Sequence, residues 1–261
     1  MVMVVTQAVI MVGKILTSFL AVLVMDWVLS QIHVFWRPDH ARCEELRNAR
    51  VFLWGQPLTT TRWFQLHCVC NWIIVWWSWA ESLRVFLAAD APQTLLHPSA
   101  NGRSIDLAIA LHVYHCMFWP LKQIDVLHHA TSVFVCCPIM YHLDTVLTSW
   151  HLLIGTGIPG GIDYLFLTLV KYRVLPIRLE KRVNAWLNAY MRAPLGAIGS
   201  YMTLLYMRRA PCVSKRWGAG VIALITYWNA TFFAKRAVES NAVYASVCDR
   251  KKSDASRKHG E

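Results

Sequence analysis

Between Leu111 and Lys171, histidines, carboxylates and a Pro-Gly-Gly element sit inside sequence otherwise apolar enough for a lipid bilayer. Inserting an ionisable group into hydrocarbon costs roughly 2.5 to 3.5 kcal/mol, so such groups kept inside membrane segments are candidates for function. The string LHVYH supplies His112 and His115, and LHHAT supplies His128 and His129. Imidazole can act as general base, hydrogen-bond donor or metal ligand. Asp163 follows two residues after the glycine pair, and a carboxylate beside an imidazole orients the ring and raises its basicity. On this reading His128, His129 and Asp163 are the candidate catalytic groups. His112, His115, Asp125 and Asp26 are candidates for substrate binding, and no metal set is assigned.

The elements that must position these groups are membrane helices. The chain has 261 residues, 56% hydrophobic and 16% charged, with 13 Trp, and its mean hydropathy is +0.37. A soluble domain would be about a quarter charged, so the composition indicates a polytopic membrane protein with one domain and no soluble module. The net charge of +11 lies in short loops and the tail between apolar segments, where it sets membrane orientation rather than nucleic-acid binding. Eight cysteines without a CxxC pair support neither a zinc ribbon nor a disulfide framework. The N-terminus is apolar and lacks a basic n-region, so it reads as part of a membrane segment and not as a cleaved signal peptide.

About 20 apolar residues span a bilayer as a helix. Segments near 15–35, 63–88, 105–121, 125–141, 146–170, 193–207 and 217–233 qualify, that at 193–207 least well. The expected fold is all-α, a transmembrane bundle of six to seven helices. Its parts are a first membrane segment at 1–36, a basic cytoplasmic loop at 37–61, the main bundle at 62–240 and a charged, disordered cytoplasmic tail at 241–261. Lys and Arg in the loops, Arg62 and Arg192 among them, place the N-terminus outside and the C-terminus in the cytoplasm.

Only Leu121 to Ile124 separate the third and fourth segments, which predicts an antiparallel hairpin. Asp125 is placed to cap the fourth helix, and at ~1.5 Å per residue the histidine pair lies on the order of 5 Å inside the boundary. Coming down the other arm, His115 and His112 reach similar depths. Neighbours on a helix point about 100° apart, so His128 and His129 cannot face one small site equally. Pro159, Gly160 and Gly161 are expected to break the fifth helix and to leave backbone groups lining a cavity. Structural alternatives stand beside each reading. A histidine near an interface can serve hydrogen bonding alone, and Asp163 can cap a kinked helix. Two polar stripes, Asp26 with Ser30 and His33, and His67 with Asn71 and Ser78, also suit interhelical hydrogen bonds.

An Asp opening a membrane helix, a His-His pair with Thr three after the first His, then a membrane Asp and a helix-end Lys resembles the TLC-domain family. These residues are Asp125, His128, His129, Thr131, Asp163 and Lys171. That family includes the ceramide synthases and the translocating-chain-associated membrane proteins. The resemblance implies an endoplasmic reticulum or other endomembrane location and lipid partners, among them acyl-CoA. It also implies acyl transfer to a sphingoid base at His128, His129 and Asp163, with no cofactor. Two other readings remain open: a non-enzymatic lipid sensor, transporter or membrane chaperone, and a His-ligated metal enzyme. Fatty-acid elongases share LHVYH-like and HHAT-like strings in one contiguous motif that is split here.

Overall fold

The computed structural model describes residues 2–35, 52–54, 56–57, 59–88, 93–99 and 102–258. In order these form α1 (Val2–Phe35), the two-residue strands β1 (Phe52–Leu53) and β2 (Gln56–Pro57), α2 (Thr60–Leu87), α3 (Arg103–Phe118), α4 (Gln123–Leu143), α5 (Leu147–Lys171), α6 (residues 177–209) and α7 (Val213–Lys258). The all-α expectation holds, and β1 pairs antiparallel with β2 as a minor clip. Among the described residues, three stretches are long and apolar enough to cross a membrane: Val9–Ile32, Gln123–Leu143 and Leu147–Lys171. Most of the loop expected at 37–61 lies outside the described residues, as does the side chain of His33.

Asp26 ties the first three elements together. Arg62 Nε donates to Asp26 Oδ1 at 2.6 Å, Arg62 Nη2 donates to Asp26 Oδ2, and Trp54 Nε1 donates to the same oxygen at 3.1 Å. Arg62 Nη1 also reaches the Leu53 carbonyl at 3.4 Å. Both charged side chains are buried, and the planar guanidinium fork matches the carboxylate edge. Asp26 therefore holds α1 and the β1–β2 clip against the start of α2, and this ion pair occupies the carboxylate that the sequence offers to substrate. Arg62, expected as a loop charge, is part of the core.

The Pro-Gly-Gly element does not break α5. The helix runs through Ile158–Lys171, preceded by a π-helical segment at Leu153–Gly157. The glycines serve contact with α2: a Cβ on Gly160 would stand 2.5 Å from Asn71 Nδ2, and one on Gly161 would stand 3.2 Å from the Trp72 ring. Gly196 does the same for α6 against Ala230 of α7. At the end opposite the histidines, Glu81 accepts hydroxyl hydrogen bonds from Ser149 and from Ser99, while Ser78 donates to Ser104 at 2.9 Å. The segment at 193–207 belongs to the longer α6. The helix α7 continues to Lys258, through the stretch that charge alone reads as a disordered tail. Extending a helix already nucleated by packing is far easier than starting one.

Removing one partner of a buried ion pair leaves the other uncompensated, at a cost of about 3–5 kcal/mol. Asp26→Ala and Arg62→Met are each expected to lower the unfolding temperature in detergent sharply. The double variant should be milder than either single change. Additive losses would show that the pair does not act as a unit.

Candidate functional site

The α3–α4 hairpin forms as its short connection requires. Asp125 sits in the first turn of α4 rather than at the cap, its carboxylate accepting the Lys122 backbone N–H at 2.9 Å. Beyond it, His112 and His115 of α3 meet His128 and His129 of α4. The Nε2 atoms of His112 and His128 lie 3.2 Å apart, and His129 Nε2 lies 3.1 Å from His115 Nδ1.

The proton positions in the first chain follow from one carbonyl. His112 Nδ1 lies 2.6 Å from the Ala108 carbonyl oxygen, which can only accept, so Nδ1 carries the hydrogen. Neutral His112 then accepts at Nε2, and His128 must donate to it from its own Nε2. His128 Nδ1 is left as the acceptor, 3.3 Å from the Ser132 hydroxyl. A parallel chain runs from Cys116 Sγ to His129 Nδ1 at 3.3 Å and on to His115. The pair divides as adjacent helical positions must. His128 lines two cavities, while His129 is buried against α3. A fifth imidazole, His67, packs on Trp63 with ring centroids 3.6 Å apart and leaves its buried Nδ1 without a hydrogen-bond partner.

Three π-helical segments surround this cluster: Ala130–Cys136 in α4, Leu153–Gly157 in α5 and Asn188–Arg192 in α6. Each is followed two residues later by a proline, Pro138, Pro159 or Pro194. A proline inside a helix lacks the N–H that would bond the carbonyl four residues back, and its ring clashes with that carbonyl. Those carbonyls belong to Phe134, Gly155 and Tyr190, all within the π segments, where the wider turn relieves the clash. At Gly155 the missing donor is replaced from another helix: Arg192 Nη2 donates to its carbonyl oxygen at 2.7 Å and to Asn229 Oδ1 at 3.1 Å.

Arg192, which charge patterning alone places in a loop, lies inside the bundle. Its guanidinium stands 5.0 Å over the Phe233 ring, its Nε has no hydrogen-bond partner, and no carboxylate lies within ion-pair distance among the described residues. Two cavities meet at it. One, about 110 Å³, is mainly apolar and runs between α3, α4, α5, α6 and α7, from His112, His128 and Ser132 toward Met140, Trp150 and Ile222. The other, about 350 Å³, is polar and is lined by Asp125, Asp163, Tyr164, Asn188 and Arg236 among others. His128, Gly155, Thr156 and Arg192 belong to both walls.

Asp163 thus shares a cavity with His128, yet no hydrogen bond or ion pair joins it to a histidine among the described residues, and its Oδ1 is unpartnered. The expected carboxylate–imidazole pair is replaced by histidine–histidine chains. His112 and Asp125 line the cavities, and His115 stands behind them. Asp26 is elsewhere. Ser132, Arg192 and His151 were missed; His151 lies in the apolar wall and bonds Thr203 Oγ1 at 2.9 Å. The sequence signal for Arg192 is its place two residues before Pro194, a proline inside an apolar helix. No three His, Cys, Asp or Glu side chains converge as a metal-binding set among the described residues.

Arg192→Met should destabilise the bundle, since an unsatisfied buried carbonyl costs about 1–3 kcal/mol. In the Pro159→Ala background a backbone N–H becomes available for Gly155, and part of that loss should be recovered. Thermal unfolding of the two single variants and the double measures the coupling, expected at about 0.5–3 kcal/mol. Strict additivity would dissociate Arg192 from the proline.

Compared with protein-family models, curated proteins and solved structures, the chain matches none.

Proposed function

We propose that the protein is a polytopic, TLC-like membrane enzyme of the endoplasmic reticulum or a related endomembrane that transfers a long acyl group to a lipid amine. In this reading six or seven helices cross the bilayer, with the N-terminus outside and the histidine end facing the cytoplasm. The observation that carries the proposal is the junction of a polar and an apolar cavity at His128 and Arg192. An acyl thioester such as acyl-CoA has the same division, a hydrophilic carrier and an apolar chain joined at the reacting carbonyl.

The geometry supports the following roles. The chain enters the apolar cavity toward Met140, a distance on the order of 18 Å from His128 at helical rise. The carrier phosphates lie in the vestibule near Arg236. Asp163, with its unpartnered oxygen, receives the amine. As nitrogen attacks the carbonyl, His128 Nδ1 takes its proton, directly or through the Ser132 hydroxyl, while His112 holds the reactive tautomer. The unpartnered Nε–H of Arg192 faces the developing oxyanion, where a preorganised donor is most effective. The thiolate leaves with the proton and the amide bond is formed. His129 positions the hairpin through Cys116 and His115.

A second reading, carbon–carbon bond formation as in the elongases, is favoured by one observation. The fold brings His112 and His115 of LHVYH within hydrogen-bond distance of His128 and His129 of LHHAT, and so rejoins the strings that sequence separates. The products distinguish the two, an amide in one case and a lengthened acyl chain in the other.

Purified protein given acyl-CoA and a long-chain amine is expected to form the amide. His128→Ala should lower the turnover per folded molecule by about 10²- to 10⁴-fold, the range of a lost general base. Asp163→Asn should act mainly on KM for the amine, and Met140→Trp should move the preference toward shorter chains. Wild-type turnover in His128→Ala would end the catalytic reading. A tightly held acyl lipid with no turnover in the wild type would favour the sensor or transporter alternative.

A further inference from the structure

A second site lies at the opposite end of the bundle. There α1, α2 and α3 enclose a groove of about 1030 Å³, lined by Lys14, Arg84, Arg103, Asp106, Thr17 and Trp77 among others. Small residues leave the space: Gly13, Ala21, Ala80 and Gly102 all line it, and a Cβ on Gly13 or Gly102 would meet nothing within 4 Å. The adjoining outer face of α1 is apolar, with Val9, Val12, Leu16 and Leu20 exposed. The groove therefore opens where acyl chains would lie along α1.

We infer that this groove binds the head group of a membrane aminophospholipid, its phosphodiester held by Lys14, Arg84 and Arg103 and its primary ammonium by Asp106. Charge complementarity argues for this occupant. Three cations line the groove, and among the described residues none of them lies within ion-pair distance of a carboxylate. Long basic side chains at a membrane boundary carry their charge to the phosphate level while their stems stay in apolar surroundings. The two carboxylates in the lining differ. Glu81 already accepts hydroxyls from Ser149 and Ser99. Asp106 is 3% exposed, and its Oδ1 has no hydrogen-bond partner. An ammonium offers three N–H donors to that oxygen, whereas the quaternary nitrogen of choline offers none. The inference rests on the membrane embedding proposed above and not on the acyl chemistry.

The test uses the full chain, freed of bound lipid in detergent and titrated by native mass spectrometry with ethanolamine, choline and glycerol phospholipids of identical acyl chains. One ethanolamine lipid is expected to be retained about tenfold more strongly than the choline lipid, a difference of about 1.4 kcal/mol. Asp106→Asn should erase that preference, and Lys14→Ala with Arg84→Ala and Arg103→Ala should remove retention. Gly13→Leu, which fills open space at the groove, should also lose the lipid while the unfolding temperature is kept, so the result does not depend on the triple variant folding. Equal retention of the glycerol lipid would overturn the inference, as would undiminished retention by Gly13→Leu. Full competition by soluble glycerophosphoethanolamine would overturn the assignment to a membrane lipid. Carbonate extraction of the chain from membranes would refute the embedding itself and is read separately.

Discussion

The junction of the two cavities is built around one backbone carbonyl deprived of its helical donor. Pro159 removes the N–H that Gly155 would otherwise receive, and Arg192 supplies the replacement from α6. That bond fixes a guanidinium at mid-bundle without using up all its donors. It also joins the π segments of α5 and α6, so that the wall between the cavities and the backbone of the helices are the same structure. The proline in α5 has a role opposite to that expected of a helix breaker. It leaves the helix continuous and makes it dependent on a charged residue from a neighbour.

The histidine chains show a similar economy of means. A single obligate acceptor, the Ala108 carbonyl, sets the tautomer of His112, and His112 sets that of His128. The acceptor this leaves is His128 Nδ1, with Ser132 beside it, and both residues line the apolar cavity. No carboxylate sets the His128 tautomer, which spares the bundle a second buried charge. Asp163 stands across the polar cavity with no bond to a histidine.

Three helices were legible because their apolar runs are long enough to cross a membrane, and the hairpin because its connection is only a few residues. His112, His115, His128 and His129 could be brought together by counting rise from that turn. What could not be read was the partner of each ionisable group. Asp26 and Arg62 are 36 positions apart and meet only through the packing of α1 on α2. Arg192 was counted with the loop charges because a window of sequence does not show that α6 begins at Ile177 and carries it into the bundle. Asp163 lies in the same half of the bundle as the histidines, but depth along an axis leaves rotation about it undetermined. The glycines after Pro159 looked like a break because only the structure shows Asn71 and Trp72 pressed against them.

Polar groups in this bundle separate by how completely they are satisfied. The Asp26–Arg62 pair, Glu81 with its two serines, and Ser78 with Ser104 have their partners and hold helices together. Arg192 Nε, Asp163 Oδ1 and His67 Nδ1 lack partners, and Arg192 and Asp163 line the polar cavity. Burial without a partner costs free energy that folding alone gives no reason to retain. A substrate that brings a carbonyl oxygen and an amine into that cavity would satisfy Arg192 and Asp163 together, so the energy withheld on folding becomes available on binding. The same reasoning applies to Asp106 at the other end, where the missing partner is a donor. Arg192 and Asp163 beside the polar cavity, and Asp106 beside the groove, combine an unsatisfied atom with open volume, whereas Asp26, Asn71 and Ser78 of the polar stripes bond across helices.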